Sequence, residues 1–436
     1  MAGGRTPADG KRLGEQMSKK ISGFLALVAF LGLTLFLINC GSSSSRPAGV
    51  LYVLSQGASN VGYYAIDLGS GNLSLLNKTT PTETTPSAIL LDPSGKVAYV
   101  LNTVSNSITS YTVNADGTLG TPTSTPVPTP NSVAMARDVA GTFLFVVSQG
   151  TVTQQSGDVI CAQAPTPGCA LLPTLTVFAT QAGSASLTQV GNPTILNQIP
   201  TAVASITAAT TLGDGTPLTK TLVYITNDVD LAHLNDNTVA AYQVDATSGA
   251  VTPQTNLPYV TGSVPTAVLA VKTTPTGGSG GLFVYVANAG SGIGADSISI
   301  FKVCTDISNT CTDPDVTATN NTLIPVGNPV AVGLDPIAMT VDPTNNFLYV
   351  VNHDSSTVSA FRINPTTGAL SALNPSSVST GSSPVAITMH SSGKFLYVSN
   401  NASSNISAFN ADTTSGSLSN ATNVTSSAQP AGLVAK

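Results

Sequence analysis

One short phrase with an aromatic residue in its second position recurs seven times along the chain. Its copies read LYVLSQ, AYVLNT, LFVVSQ, VYITND, VYVANA, LYVVNH and LYVSNN, and they begin at Leu51, Ala98, Leu144, Val223, Val284, Leu348 and Leu396. Where the spacing is regular, 47, 46 and 48 residues separate Tyr52 from Tyr99, Tyr99 from Phe145, and Tyr349 from Tyr397. Self-similarity at such a period predicts a repeat architecture.

A second phrase, a proline followed by small and branched apolar residues, precedes every copy except the first. It begins at Pro86, Pro130, Pro200, Pro265, Pro336 and Pro384. After each aromatic strand the sequence predicts a polar turn, a strand of alternating polarity, a glycine turn and a fourth strand. Four antiparallel strands in about 45–50 residues are typical of a β-propeller blade, which buries its faces only against neighbouring blades.

The ends of the chain supply the missing proline strand. No such strand precedes Leu51, but the tail reads PAGLVAK from Pro430. We therefore predict an all-β fold over residues 51–436: a seven-bladed β-propeller of four-stranded antiparallel blades, closed by pairing of the C-terminal strand with the N-terminal blade. The chain has only two glutamates, Glu15 and Glu83, which also disfavours long surface helices.

The first 39 residues have the pattern of an export signal, which is a basic stretch followed by the apolar run ISGFLALVAFLGLTLFLI. The next cysteine, in LINC, resembles the lipobox of bacterial lipoproteins and predicts acylation of Cys40, although Asn39 departs from the small residue preferred there. A retained transmembrane anchor and ordinary secretion are the alternatives. Residues 40–50 then form a flexible tether, and all three routes predict an extracytoplasmic location in the cell envelope.

The charge balance limits the classes of partner. From Cys40 onward the chain keeps 10 basic and 19 acidic residues, a formal net charge of −9, which disfavours nucleic-acid binding. We expect a monomer without a cofactor, a membrane contact through the N-terminal lipid, and a protein or carbohydrate ligand on one propeller face.

Apart from Cys40, the cysteines form two local pairs, Cys161 with Cys169 and Cys304 with Cys311. An oxidising compartment would let both pairs close as disulfides. Each bridge would pin a short loop, worth about 2–3 kcal/mol on the chain-entropy estimate, rather than hold the fold together. Neither pair has a histidine nearby, which disfavours zinc.

Loops that follow the second strands and loops that link blades are expected on the same face, where binding residues concentrate. Five blades end the aromatic strand in asparagine, which we interpret as a structural turn residue. These residues are Asn102, Asn227, Asn288, Asn352 and Asn400. The fourth blade adds a polar loop in which Asp228, Asp230 and Asp236 are candidate ligands for a calcium-type cation, with a solvated acidic loop as the alternative.

Two histidines on this face are candidate catalytic residues. His353 is followed by Asp354 in the sixth blade, which could form a general base with a nearby carboxylate, and His233 lies in the acidic loop of the fourth blade. An inert loop histidine is the alternative in each case. His390 is predicted on the opposite face, where other blades place aspartate before a turn, and is interpreted as structural.

The motifs P-x-A-V, LYVxN and TTGAL, spread from Leu51 to Ala435, resemble those of the YVTN and lactonase-like β-propellers. The resemblance implies a seven-bladed ring and lactone hydrolysis in the carbohydrate class, as in the 6-phosphogluconolactonase-like members. No catalytic motif of the family matches positions here. Few cations are expected on the binding face, with Lys78 beside Glu83 as the main exception, so a binding or scaffold module is the preferred prediction and a lactone hydrolase the alternative.

Overall fold

The computed structural model describes residues 49–151, 160–161, 170–211, 217–230, 237–254, 259–274, 280–290, 296–304 and 323–436. These residues form strands and the turns between them, with no helix. A helix able to cross a membrane is accordingly not found in this part of the chain. The predicted export signal, residues 1–39, lies outside it.

The strands follow one another with short connections in most of the chain. In order they are β1 (Gly49–Ser55), β2 (Asn60–Ile66), β3 (Leu73–Pro81), β4 (Pro86–Leu91), β5 (Val97–Asn102), β6 (Ser107–Thr112), β7 (Thr123–Pro126), β8 (Ser132–Arg137), β9 (Phe143–Ser148), β10 (Ile160–Cys161), β11 (Ala170–Leu171), β12 (Thr174–Gln181), β13 (Ser184–Gln189), β14 (Thr194–Ile195), β15 (Gln198–Thr211), β16 (Pro217–Asp230), β17 (Thr238–Val244), β18 (Val251–Pro253), β19 (Tyr259–Val260), β20 (Pro265–Lys272), β21 (Leu282–Asn288), β22 (Ser297–Val303), β23 (Leu323–Pro325), β24 (Val330–Ala331), β25 (Pro336–Val341), β26 (Phe347–Asn352), β27 (Thr357–Ile363), β28 (Leu370–Ser379), β29 (Pro384–Met389), β30 (Phe395–Asn400), β31 (Asn405–Ala411), β32 (Leu418–Thr425) and β33 (Pro430–Ala435).

Seven antiparallel sheets with four principal strands each form the blades, which we number in chain order. Blades 2, 6 and 7 contain β4–β7, β25–β28 and β29–β32. Blade 3 contains β8, β9, β12 and β13, blade 4 contains β15–β18, and blade 5 contains β20–β23. Short extra strands β14, β19 and β24 pair with the third strands of blades 3, 4 and 5, and β10 and β11 form a separate parallel pair. The predicted seven-bladed propeller is confirmed.

Blade 1 is completed from the other end of the chain. Its order is β3-β2-β1-β33, and β33 pairs antiparallel with β1 so that Val53 lies opposite Leu433 and Tyr52 opposite Val434. Backbone hydrogen bonds join Lys436 to Val50 in both directions, at 2.9 and 3.1 Å. The predicted closure is therefore confirmed, with the inner strand supplied by the tail.

The strand directions define two faces of the ring. We call upper the face with the turns between second and third strands and the links between blades. The lower face carries the turns between first and second strands and between third and fourth strands. Asp342 shows how a lower turn is fixed, since its Oδ1 accepts the backbone N–H groups of Asn346 and Phe347 at 2.8 and 2.7 Å. His390 replaces this aspartate in blade 7, where its Nδ1 contacts Ser392 Oγ at 2.8 Å.

The hydrophobic core is distributed over the seven interfaces between neighbouring blades, which we call seams. At the seam between blades 6 and 7, for example, Tyr349 and Val351 pack with Leu396 and Val398. Four of the repeated tyrosines also cross a seam with a hydrogen bond to a glycine carbonyl of the next blade. The pairs are Tyr52 to Gly117 at 2.7 Å, Tyr285 to Gly368 at 2.9 Å, Tyr349 to Gly416 at 2.8 Å and Tyr397 to Gly71 at 3.0 Å.

The position that accepts the tyrosine hydrogen bond needs a glycine for two reasons, its backbone conformation and the lack of room for a side chain. Gly416 has φ of 78°, a left-handed conformation that residues with a Cβ rarely adopt. A Cβ added there would lie 2.2 Å from Cδ1 of Phe347. The glycine turn of the sequence repeat therefore lets one blade approach the next closely enough for the tyrosine hydroxyl to reach a carbonyl.

Candidate functional site

The repeated asparagines at the upper ends of the second strands are structural, as predicted. All five are buried, with at most 2% of their surface exposed. The side-chain amide of Asn352 donates to Thr357 Oγ1 at 3.0 Å and to Ser359 Oγ at 2.9 Å, both in the following strand. Asn102 makes the same contact with Thr109 Oγ1, at 2.8 Å. These amides therefore fasten the upper hairpins instead of facing a ligand.

The acidic loop of blade 4 is only partly described. Asp228 and Asp230 lie in the last residues of β16, whereas His233 and Asp236 lie outside the described residues. The candidate cation ligands and the candidate base of this loop consequently remain predictions.

On the upper side of the seam between blades 5 and 6, His353 is brought together with carboxylates from two loops. Its Nδ1 lies 2.8 Å from Asp354 Oδ1 and 3.2 Å from Asp335 Oδ2. The pairing with Asp354 is the one that the sequence suggested, whereas Asp335 comes from the link that precedes β25. We call His353, Asp354 and Asp335 the histidine cluster.

Backbone contacts fix the position of this cluster. The N–H of His353 donates to the Asp335 carbonyl at 2.8 Å, and the N–H of Leu334 donates to Ser355 Oγ at 2.6 Å. Asp335 has φ of 54°, a left-handed conformation that aspartate tolerates better than most residues with a side chain. The bend turns the chain from the link into the inner strand, and it places the Asp335 carboxylate beside the turn of blade 6.

A fourth carboxylate supports the cluster from blade 5. Asp296 is buried, and its Oδ1 accepts the backbone N–H of Asp335 at 3.0 Å. Asn237 and Asn106 hold the corresponding links of blades 4 and 2 through the same side-chain oxygen, at 2.8 Å to the N–H of Val264 and 3.3 Å to that of Ser132. Blade 5 thus uses an aspartate where two other blades use an asparagine, which keeps the contact and adds a negative charge.

The electrostatics of the cluster follow from partial burial and crowding of like charges. Burial, with repulsion from Asp354 and Asp296, raises the pKa of the Asp335 carboxyl, while His353 acts in the opposite direction. Because Nδ1 of His353 faces two carboxylates, we assign its proton to that nitrogen. The other ring nitrogen, Nε2, then carries the lone pair, and the imidazole is 31% exposed.

These atoms are also close enough to hold one cation. One ligand atom each from Asp335, His353 and Asp354 lies within 4.8 Å of the other two. Carboxylate oxygens with an imidazole nitrogen suit a borderline or hard divalent ion. Acidic groups at a protein surface are also common without a bound ion. The spacing of these atoms alone therefore assigns no metal.

The upper face lacks basic residues in the part of the chain that the structure describes. Lys78 was the expected exception, but this prediction is wrong, because its Nζ pairs with Asp116 Oδ2 at 3.5 Å in a lower turn of blade 2. Glu83 instead accepts a hydrogen bond from Ser107 Oγ at 2.5 Å. Lys78 lies in outer strand β3, and its side chain reaches across to blade 2.

The predicted cysteine sites fall largely outside the described residues. Cys40, Cys169 and Cys311 lie outside them, and Cys161 ends the short strand β10. Cys304 is buried and bonded in a disulfide. Its pairing with Cys311, the pairing of Cys161 with Cys169 and the acylation of Cys40 remain predictions.

Comparison with known proteins agrees with this architecture. A model of the family described as "Lactonase, 7-bladed beta-propeller" matches residues 48–155, 232–381 and 338–434, which is more than half of the chain. The chain belongs to this family. No curated protein matches the sequence.

Solved structures share the fold of this lactonase-family propeller at low sequence identity. A putative 6-phosphogluconolactonase from Bacteroides fragilis NCTC 9343 is 15% identical with a TM-score of 0.62, covering 91% of this chain and 99% of its own. The periplasmic gluconolactonase of Pseudomonas aeruginosa is 17% identical with a TM-score of 0.60, covering 89% and 98%. At these identities the likeness shows the fold alone.

The remaining site residues, Asp335 and Asp296, were missed by sequence reasoning. A comparison of equivalent repeat positions could have found them. In blade 6 the residue before the inner-strand proline is the ionisable Asp335. Four other blades have an uncharged residue at this position: Thr85, Val264, Ser383 and Gln429.

Proposed function

We propose that this lactonase-family propeller is an exported, membrane-anchored module of the cell envelope that binds an uncharged ligand of the carbohydrate class on its upper face. The charge of that face carries the proposal. The described upper loops hold the carboxylates of Glu83, Asp296, Asp335 and Asp354 and no Lys or Arg. A phosphorylated sugar would lack its usual cationic partners and meet repulsion, whereas sugar hydroxyl groups can donate to carboxylates.

A second candidate function, hydrolysis of a neutral sugar lactone, is favoured by the orientation of His353. With its Nδ1 proton held by carboxylates, Nε2 is available to take a proton from water. The water oxygen would then bond to the lactone carbonyl carbon, and the ring C–O bond would break as its oxygen receives that proton. The product is the open hydroxy acid, and Asp335 and Asp354 would stabilise the transient imidazolium.

Both candidates are tested with glucono-1,5-lactone and its 6-phosphate as probes. Binding is measured by calorimetry and ring opening by acid release above the spontaneous rate. We expect the uncharged compound to bind at least tenfold more tightly than the phosphorylated one. Tighter binding or faster opening of the 6-phosphate would contradict the proposal.

Matched variants separate binding from catalysis. His353→Gln keeps a polar side chain but removes the base, whereas His390→Gln changes a histidine on the lower face. Loss of ring opening in the first variant alone, with binding retained, would identify a hydrolase. Binding without turnover in the unmodified protein would identify a binding module.

The proposed anchor has its own test. Cells that express the chain are labelled with a radioactive fatty acid, and label is expected on the unmodified protein but not on Cys40→Ser. With more than one acyl chain, attachment should exceed the weak binding of about 10⁴ M⁻¹ given by one chain. Unlabelled protein that stays with the membrane in both forms would indicate an uncleaved apolar segment instead.

A further inference from the structure

A residue with left-handed backbone conformation directly precedes the inner strand in six of the seven blades. Its φ lies between 51° and 59°, where glycine is much less strained than residues with a Cβ. None of the six is glycine, and two are β-branched, a side-chain type rarely found in this conformation. They are Thr85, Asn131, Val264, Asp335, Ser383 and Gln429, and we call them the rim. In blade 4 the corresponding residue, Ile199, lies within strand β15 instead.

The lower face meets a similar backbone requirement with glycine. The six described turns between third and fourth strands each contain one left-handed glycine, with φ between 70° and 83°. They are Gly71, Gly117, Gly183, Gly249, Gly368 and Gly416. Lack of space does not explain every one of them, because nothing lies within 4 Å of a Cβ added at Gly183. The sequence therefore uses glycine for this conformation on the lower face but retains side chains at the rim.

The structural role of each rim residue is carried by its backbone. In all six, the carbonyl oxygen accepts an N–H from the residue after the second strand of the same blade, at 2.8 to 3.1 Å. Thr85, for example, accepts from Thr103 at 3.0 Å, and Ser383 accepts from Asn401 at 2.8 Å. Glycine would offer the same carbonyl, so this contact does not account for the side chains.

Several rim side chains are also unused by the fold. Those of Thr85, Ser383 and Gln429 are at least partly exposed and form no hydrogen bond among the described residues. Val264, the apolar member, is 39% exposed. The other five end in a hydroxyl, an amide or a carboxylate, and these groups can exchange hydrogen bonds with the hydroxyl groups of a ligand.

The rim surrounds the axis of the ring on the upper face. Each inner strand contacts the inner strand of the next blade, all the way around from β33 of blade 1 to β29 of blade 7, so the residues that precede these strands form a circle. Asp335 belongs to both the rim and the histidine cluster. Asn131 is partly committed to the fold, since its Nδ2 donates to the Gly150 carbonyl at 2.5 Å.

We infer that the rim is the ligand-recognition surface of the upper face, on which Thr85, Ser383 and Gln429 form hydrogen bonds with the hydroxyl groups of a bound sugar. These residues belong to blades 2, 7 and 1, which follow blade 6 and its histidine cluster around the ring. Strained backbone positions tend to occur at ligand sites, where the surrounding structure holds them in place. The inference rests on the proposed binding of an uncharged carbohydrate-class ligand, and it names the side chains that recognise it.

Two triple variants of the full chain test the inference, with glucono-1,5-lactone as the probe and calorimetry as the binding measurement. One replaces Thr85, Ser383 and Gln429 by alanine and the other replaces them by glycine. Both should bind at least about tenfold more weakly than the unmodified protein, because three neutral hydrogen bonds are lost together. The glycine variant should melt at a higher temperature than the alanine variant, because only glycine relieves the left-handed strain.

Asn77→Gly is the matched control. Asn77 is an exposed residue of outer strand β3 with φ of 50°, so the substitution changes a similar backbone position away from the rim and should leave binding unchanged.

The possible results separate this inference from the proposed function. If the unmodified protein binds the probe and the alanine variant binds it equally well, the inference is wrong and the proposed function stands. Weaker binding in the glycine variant alone would also overturn the inference, since it would reflect a looser link and not lost side-chain contacts. A glycine variant that melts below the alanine variant would show that the rim is not strained, which removes the basis of the inference. No binding of the probe by the unmodified protein would overturn the proposed function and the inference together.

Discussion

The seam between blades 6 and 7 differs from the seam between blades 4 and 5 in the hydrogen bonding of one tyrosine. Both bury a repeated tyrosine completely, Tyr349 in one and Tyr224 in the other. The hydroxyl of Tyr349 donates to the Gly416 carbonyl, whereas that of Tyr224 has no partner among the described residues. The aromatic ring is therefore buried in both seams, whether or not its hydroxyl has a partner among the described residues.

The next blade along the ring also differs between the two seams. Blade 7 continues from its third strand into a short glycine turn at Gly416, but in blade 5 residues 305–322 stand between the third strand and β23. The short glycine turn that supplies the acceptor carbonyl in blade 7 has no counterpart among the described residues of blade 5. Burial raises the pKa of the Tyr224 hydroxyl far above its ordinary value, so it remains protonated. The two seams thus share a buried aromatic ring but differ in whether its hydroxyl has a partner among the described residues.

The strongest test of the seams is removal of the closing strand. Deletion of residues 429–436 leaves β1 with an open edge and removes Leu433 and Ala431, both buried against neighbouring blades. Apolar side chains contribute roughly 1.5–3 kcal/mol each when fully buried, so with the lost backbone pairing the cost approaches the total stability of many domains. We expect aggregation or a greatly lowered melting temperature.

A matched chain carries Gly and Ser residues in place of 429–436. It restores the length but not the strand, and it should behave like the deletion. A soluble truncated protein with an unchanged melting temperature would show that the blade closes without β33.

The second test introduces a methyl group into the seam between blades 6 and 7. Gly416→Ala places a Cβ 2.2 Å from the Phe347 ring, at a backbone position with φ of 78°. Left-handed strain and overpacking should together cost about 2–4 kcal/mol. Gly327→Ala is the control, because φ there is 61° and nothing lies within 4 Å of the added Cβ. Equal losses in chemical denaturation would mean that the clash is relieved by movement of Phe347.

The third test compares the two tyrosines directly. Tyr349→Phe removes a hydrogen bond and leaves the Gly416 carbonyl unpaired, which should cost about 1 kcal/mol or slightly more. Tyr224→Phe removes only a buried hydroxyl that has no partner among the described residues, and it should be neutral or stabilising. The free energies of unfolding of both variants are measured under the same conditions. A loss at Tyr224 as large as that at Tyr349 would indicate that Tyr224 has an acceptor after all.

The ring and its closure could be predicted from the sequence because both follow from motifs that recur in every blade. Tyr349 and Tyr397 mark equivalent strands, and Pro430 marks the inner strand that Leu51 lacks. A single short apolar segment predicts its secondary structure poorly, but seven similar copies must all adopt the same strand between two neighbouring blades. The repeats therefore support one another's assignment. The tyrosine-to-glycine contact was not predicted, because it joins residues of adjacent blades that are far apart in sequence, 67 positions in the case of Tyr349 and Gly416.

The histidine cluster could be predicted from the sequence only in part. His353 and Asp354 are adjacent in sequence, and their pairing was predicted. Asp335 and Asp296 reach the cluster through a link and a neighbouring blade, 18 and 57 residues before His353. Asp335 reaches the histidine because its backbone adopts a left-handed bend. Asp296 takes the position that asparagine occupies in two other blades, where it accepts the backbone N–H of Asp335. Neither contact joins residues that are close together in the sequence.

The smallest expected effect concerns the seam between blades 5 and 6, where like charges meet at the upper end. Because the pKa of Asp335 is raised in the folded protein, its contribution to stability is greatest below the unfolded pKa and is lost as the pH rises through the folded pKa. Asp335→Asn keeps a side chain that tolerates the left-handed bend and removes the charge. The variant should match the unmodified protein near pH 3 and exceed it at pH 7, by less than about 0.5 kcal/mol because solvent screens the partly exposed carboxylate. Denaturant unfolding at both pH values measures the difference, and a variant less stable at pH 7 than at pH 3, relative to the unmodified protein, would mean that attraction to His353 outweighs the repulsion from Asp354 and Asp296.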